Sequence, residues 1–176
     1  METNLYTATI IPMMRSLENL SKILTKAEEF ADSRKTERHD FREALLNDRL
    51  VFDQFPLVRQ VQIACDNGKA AAARLSGAEP PSMEDTEKTF AELQARIVKT
   101  LEYMRTVTPE SIVGRDEEIV PTANLKRRYG VDTLNGHEYA SRYILPNFYF
   151  HVATAYGILR KNGVPLGKAD YLGSLT

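Results

Sequence analysis

One imidazole interrupts an apolar run: His151 in NFYFHVATAYGILR, residues 147–160. Residues three, four, seven and eight apart share a helix face, so Ile144, Phe148, His151, Ala155 and Ile158 form one stripe that turns His151 inward. With an ordinary pKa of about 6.5, an inward imidazole can act as a general base, a hydrogen-bond donor or a residual metal ligand. The alternative is a packed neutral ring paired to Gln62 or to a tyrosine, because a buried imidazole needs a partner.

Earlier in the chain, Val58, Gln62, Cys65 and Ala72 make a second stripe, which places an amide and a thiol inward. Left unpaired there, the Gln62 amide would cost about 1–3 kcal/mol, so it bonds His151 or a ligand. Cys65 reads either as a nucleophile or as a small core residue. Arg59, Asp66 and Lys69 flank the stripe, as an ion-pair set within the helix or as a pocket mouth that selects an anionic ligand. Asn147, one turn before His151, can orient the ring or a ligand, or satisfy backbone freed near Pro146. Tyr149 and Tyr156 suit core edges with the hydroxyl reaching water. Lys126, Arg127 and Arg128 form a short basic run, read as a solvated loop.

Positioning these groups requires helices. From Tyr6 to Ala31 the apolar residues Ile10, Met13, Met14, Leu17, Leu20, Leu24, Ala27 and Ala31 step by three and four, which predicts helix one. The charged DSRKTERHD connection, with His39 solvated beside Asp40, leads to a short helical piece at FREALLNDRL. Helix two is expected from a cap at Asp53, with Pro56 in its first turn, to a stop at Gly77. Ser82 and Asp85 resemble a capping box opening helix three, whose stripe is Phe90, Leu93, Ile97, Thr100, Leu101 and Met104 and which ends before Pro109. Residues 109–136 break the rhythm and suit a small hairpin or loop excursion. The last helix runs from about His137 to Asn162, with a kink or break near Pro146.

Composition bounds the remaining choices. A chain of 176 residues fits one domain, residues 1–176, able to bury roughly 70% of its unfolded surface without staples. Net charge is −1, from 23 basic and 24 acidic side chains, which offers no overall basic character for nucleic acid. The lone Cys65 cannot make an internal disulfide and no signal peptide is read at the N-terminus, which suits a cytoplasmic location. No window approaches about 18 uninterrupted apolar residues, so no membrane span is expected.

With HVATAYGILR closing a long last helix, and Gly157 and Arg160 in register, the chain resembles the DinB/YfiT-like superfamily of four-helix bundles. Members of that superfamily hold a divalent metal with a histidine on helix two and an HxxxH pair on helix four, where residues four apart converge on one ion. The resemblance puts His151 at the first helix-four histidine, Ala155 at the second and Gln62 at the helix-two position. It therefore implies a degenerate site with no tightly held metal, and weak residual divalent binding at most. FPLVRQVQIACD, NFYFH and NGVPLGKADYLG are similar to a branch catalogued only as a domain of unknown function. The superfamily includes thiol-dependent and metal-dependent transferases and isomerases, which the resemblance implies as ancestry.

These readings converge on an all-α DinB-like four-helix bundle with a long connection between helices three and four. A pocket between helices two and four is expected to bind a small organic molecule. Any chemistry there would be acid–base, with His151 transferring the proton, Gln62, Asn147 and Tyr156 orienting the substrate, and Arg59, Cys65, Asp66, Phe148 and Ala155 contacting it. Two alternatives stay open: a non-enzymatic bundle that forms a homodimer or binds a partner, and a metal enzyme completed by other ligands such as Asp66.

Overall fold

The periodic apolar positions do form helices. A computed structural model describes residues 3–36, 40–121 and 123–174, so the expectation for His39 lies outside the described residues. The long helices are α1 (Leu5–Ser33), α3 (Leu57–Leu75), α4 (Phe90–Thr106) and α7 (Leu145–Lys161). Shorter ones are α2 (Phe41–Asn47), α5 (Ala123–Tyr129), α6 (Gly136–Glu138) and α8 (Lys168–Leu172). Strands β1 (Ile119–Pro121) and β2 (Thr133–Asn135) pair antiparallel, Val120 opposite Leu134, so the expected excursion is a small ladder with α5 between its strands.

Around the bundle α1 packs on α4 and α7, while α3 packs on those same two helices from the opposite corner. All six residues of the predicted α4 stripe are buried, as are Ile144, Phe148, His151, Ala155 and Ile158. Each fully buried Leu, Ile or Phe contributes about 1.5–3 kcal/mol, so these stripes, rather than helix propensity, hold the bundle together. Close approach of α3 to its neighbours depends on Gly68, where a Cβ would lie 3.0 Å from Met104 Sδ and 3.2 Å from Leu17 Cδ1. Gly77 follows α3 at φ 81°, the left-handed stop expected there.

Two predicted helix starts move. Asp53 does not cap α3, because Pro56 drives Phe55 out of the helical region and the helix opens at Leu57 behind an extended Pro56. Ser82 and Asp85 do not open α4 either. Thr89 and Glu92 form that capping box, Glu92 accepting from the backbone N–H of Thr89 at 2.9 Å and of Lys88 at 2.7 Å. Residues 78–88 are not helical, and Asp85 is taken by Arg59 and Arg96.

The last helical path runs from Gly136 without interruption to Lys161, but residues Tyr139–Ile144 form a π-helical turn. Proline has no N–H to give, and its ring would collide with the carbonyl four residues back; the wider turn just ahead of Pro146 relieves that collision. The expected disturbance near Pro146 thus takes the form of a π turn, and α7 beyond it packs on α3. An unanticipated segment, α8, packs on α1 through a Lys26–Asp170 ion pair at 2.6 Å and an Asn19 Nδ2 bond to the Tyr171 carbonyl.

Candidate functional site

A cleft of about 1250 Å³ opens where the first half of α3, the π turn, the start of α7 and residues 125–134 meet. His151 sits at its floor, 8% exposed, on the stripe predicted for it. Its partner is not the expected one: Nδ1 lies 2.6 Å from Oε1 of Gln60. Gln60 in turn donates its Nε2 to the carbonyl of Phe55 at 2.9 Å. That second bond fixes which end of the amide faces the ring. Gln60 presents an acceptor, so Nδ1 carries the hydrogen and the neutral ring keeps its lone pair on Nε2.

Burial, reinforced by the positive charges of Arg59 and Arg128, lowers the His151 pKa from 6.5 to about 4. At neutral pH the ring is therefore an uncharged hydrogen-bond acceptor. A base near pKa 4 is also far from the optimum for proton transfer at pH 7. One turn away Asn147 donates Nδ2 to Oδ1 of Asn67 at 3.0 Å, so a second amide contact joins α7 to α3 beside the first. The Phe150 ring meets the imidazole edge-on, with centroids 5.2 Å apart.

Of the residues singled out in the sequence, Arg59, Asn147 and His151 come together in this cleft. Gln62, Cys65 and Asp66 do not, because α3 is covered on two sides and they belong to the side facing α4. There the Gln62 amide donates to Glu87 at 2.9 Å and accepts from Arg59 at 3.2 Å. Asp66 pairs with Arg96 at 2.8 Å and with Lys69 at 2.9 Å, the bond expected within the helix. Arg96 is also held by Asp85 at 2.9 Å and Glu87 at 3.0 Å. Burial works against the charge of this guanidinium, but Glu87 and Asp66 outweigh it and raise its pKa. Full burial pushes the Cys65 thiol up to about 12, which leaves it without a thiolate at neutral pH. Phe148 and Ala155 lie in the bundle core, and Tyr156 packs edge-on to Tyr171, 5.9 Å between centroids.

Gln60, Asn67, Arg127 and Arg128 line the cleft without having been anticipated as site residues. A seven-residue step puts Gln60 and Asn67 on one face of α3, and the four-residue step from Asn147 to His151 matches it on α7. Pairing polar residues at equal spacing on both helices would have found them. Arg127 and Arg128 are carried into the cleft by the β1–β2 ladder and α5, not left in an open loop.

The resemblance to metal-binding bundles can be tested on these donors. Gln60 occupies one nitrogen of His151, Ala155 offers no donor, and Asn67 and Asn147 are amides bonded to each other. Among the described residues no three His, Cys, Asp or Glu side chains gather as a metal-binding group. One imidazole among neutral amides does not fit a tightly held transition metal. Among the described residues, too, no helix is long and apolar enough to cross a membrane.

Comparison with known proteins agrees with this architecture. The profile of the family described as "Domain of unknown function (DUF1993)" matches residues 5–172. A crystal structure of a DinB family member protein from Shewanella denitrificans is 42% identical to the chain, with a TM-score of 0.86 over 97% of this chain and 93% of that one. No curated protein matches.

Proposed function

We propose that this chain, which belongs to the DUF1993 family and has a DinB-like fold, binds a small organic molecule in the cleft between α3 and α7. The observation carrying the proposal is a buried neutral imidazole, fixed by Gln60 through Nδ1, in a side chain that lines the cleft. Bonding one nitrogen to Gln60 leaves the other without a protein partner among the described residues. Here one is tied down and the other is left as an acceptor at the bottom of an open space. Two further groups support the reading: Oε1 of Gln54 and Nδ2 of Asn67, on residues that line the cleft, are buried with no hydrogen-bond partner.

A ring with its pKa near 4 suits recognition better than proton shuttling at neutral pH, so the function is ligand binding, with His151 accepting an N–H or O–H from the ligand. Thermal-shift screening with small metabolites tests this. Some compounds should raise the melting temperature of the native chain and not of His151→Ala, whose helical circular dichroism is retained. A ligand response unchanged in that variant would place the binding site elsewhere, and outright unfolding of the variant would make the ring a packing element.

A further inference from the structure

Charge around the cleft is unevenly spent. Arg59 pairs with Asp85, Arg142 with Glu138 at 2.9 Å and Lys126 with Asp132 at 2.6 Å. Arg127 and Arg128, both exposed and both lining the cleft, enter no ion pair among the described residues. Asp53 is the carboxylate among the lining residues, set against Arg59, Arg127, Arg128 and Arg142. Arg128 lies over the Tyr129 ring, 5.7 Å from its centroid, and guanidinium groups with no carboxylate paired to them raise the local concentration of anions.

Apolar surface is the second observation. Phe55, Phe150 and Tyr129 are 53%, 54% and 57% exposed and all three border the same cleft. Exposed apolar surface gathered at one recess, rather than scattered singly, is the mark of a ligand groove. At about 1250 Å³ the cleft has room for a whole organic ligand, for which roughly 300–1,000 Å³ is typical.

Resting on the reading of the cleft as a small-molecule site, we infer that its ligand is an organic carboxylate with a flat or extended apolar body. The carboxylate lies at Arg127 and Arg128, the body lies among Phe55, Tyr129 and Phe150, and a hydroxyl or N–H on the ligand donates to Nε2 of His151. Guanidinium selects the charge, the rings select the apolar body, and the neutral imidazole rejects a second anion at the floor.

Matched pairs test the inference with the full chain at constant ionic strength: 4-hydroxybenzoate, indole-3-acetate and octanoate, each beside its methyl ester, with inorganic phosphate as a further probe. Calorimetric titration should show at least one aromatic acid binding tenfold or more tightly than its ester, with phosphate alone weaker still. The double variant Arg127→Ala, Arg128→Ala should lose that tenfold preference while keeping the native melting temperature, since both side chains are on the surface. Esters binding as well as the acids, with His151→Ala still abolishing binding, would overturn the carboxylate class and leave the small-molecule site standing. Failure of every acid and ester would overturn both readings. Phosphate binding as tightly as the acids would overturn the role of the aromatic wall.

Discussion

Helix α3 has two polar sides, and they are opposite in kind. Toward α4, Arg59, Gln62, Asp66 and Lys69 meet Asp85, Glu87 and Arg96 in a charged network whose guanidinium is 2% exposed and bonded on both outer nitrogens. Toward α7, Gln60 and Asn67 meet His151 and Asn147 through neutral contacts that leave acceptor and donor groups over, next to an open cleft. Charges paired to one another hold helices in register, even with Nε of Arg96 left buried and without a partner. Uncharged groups with a hydrogen-bonding position to spare beside an open cleft can take a ligand. The type of residue alone does not say which is which; the partner does.

If that contrast is right, damage on the α4 side appears as lost stability and damage on the α7 side as lost binding. The largest effect should come from Arg96→Met, which removes the buried cation shared by Asp66, Asp85 and Glu87 and leaves them to Lys69, Arg59 and Gln62; about 3 kcal/mol is expected in urea unfolding, with ligand response retained. Next, His151→Ala should cost about 1–2 kcal/mol, because it orphans Oε1 of Gln60, and should remove ligand-induced stabilisation altogether. The comparison is sharpest between two amides on one helix. Gln60→Ala should impair binding by freeing the ring, whereas Gln62→Ala should cost about 1 kcal/mol of stability and leave binding intact. Equal binding losses in the two variants would break the distinction.

Acid gives a smaller signal with a definite sign. The folded pKa of His151, about 4, lies below its ordinary 6.5, so the unfolded chain takes up the proton first. Its contribution to stability is full above about pH 6.5 and is lost as pH falls toward 4. Lowered carboxyl groups such as Asp48 and Asp170 add their own acid loss, so the histidine part is the difference between native chain and His151→Ala in urea midpoints across that range. Smallest of all, Cys65 should not react with a thiol reagent at pH 8 until the protein unfolds.

Much of the scaffold was legible in the sequence. The steps of three and four in α1 and α4 name buried faces directly, and the inward turn of His151 follows from its place between Phe148 and Ala155. Helix starts were less legible, because several polar residues near each start could serve as caps. Thr89 prevails over Ser82 since Glu92 closes its box, while Asp85 is spent on Arg59 and Arg96. The site was half legible for a related reason. α3 is buried on more than one side, so a stripe chosen by hydrophobicity alone could contain Gln62 or Gln60, and the choice depended on which helix lay across each. Arg127 and Arg128 were legible as charge but not as lining, since their position depends on the pairing of β1 with β2.

The central claim is that Gln60 holds His151 neutral, with its hydrogen on Nδ1 and its lone pair on the cleft side. Nitrogen-15 NMR of the imidazole, assigned by comparison with His151→Ala, measures this directly through a pH titration. The account predicts the Nδ1–H tautomer, titrating near pH 4. An Nε2–H tautomer, or a ring that charges near its ordinary 6.5, would contradict it.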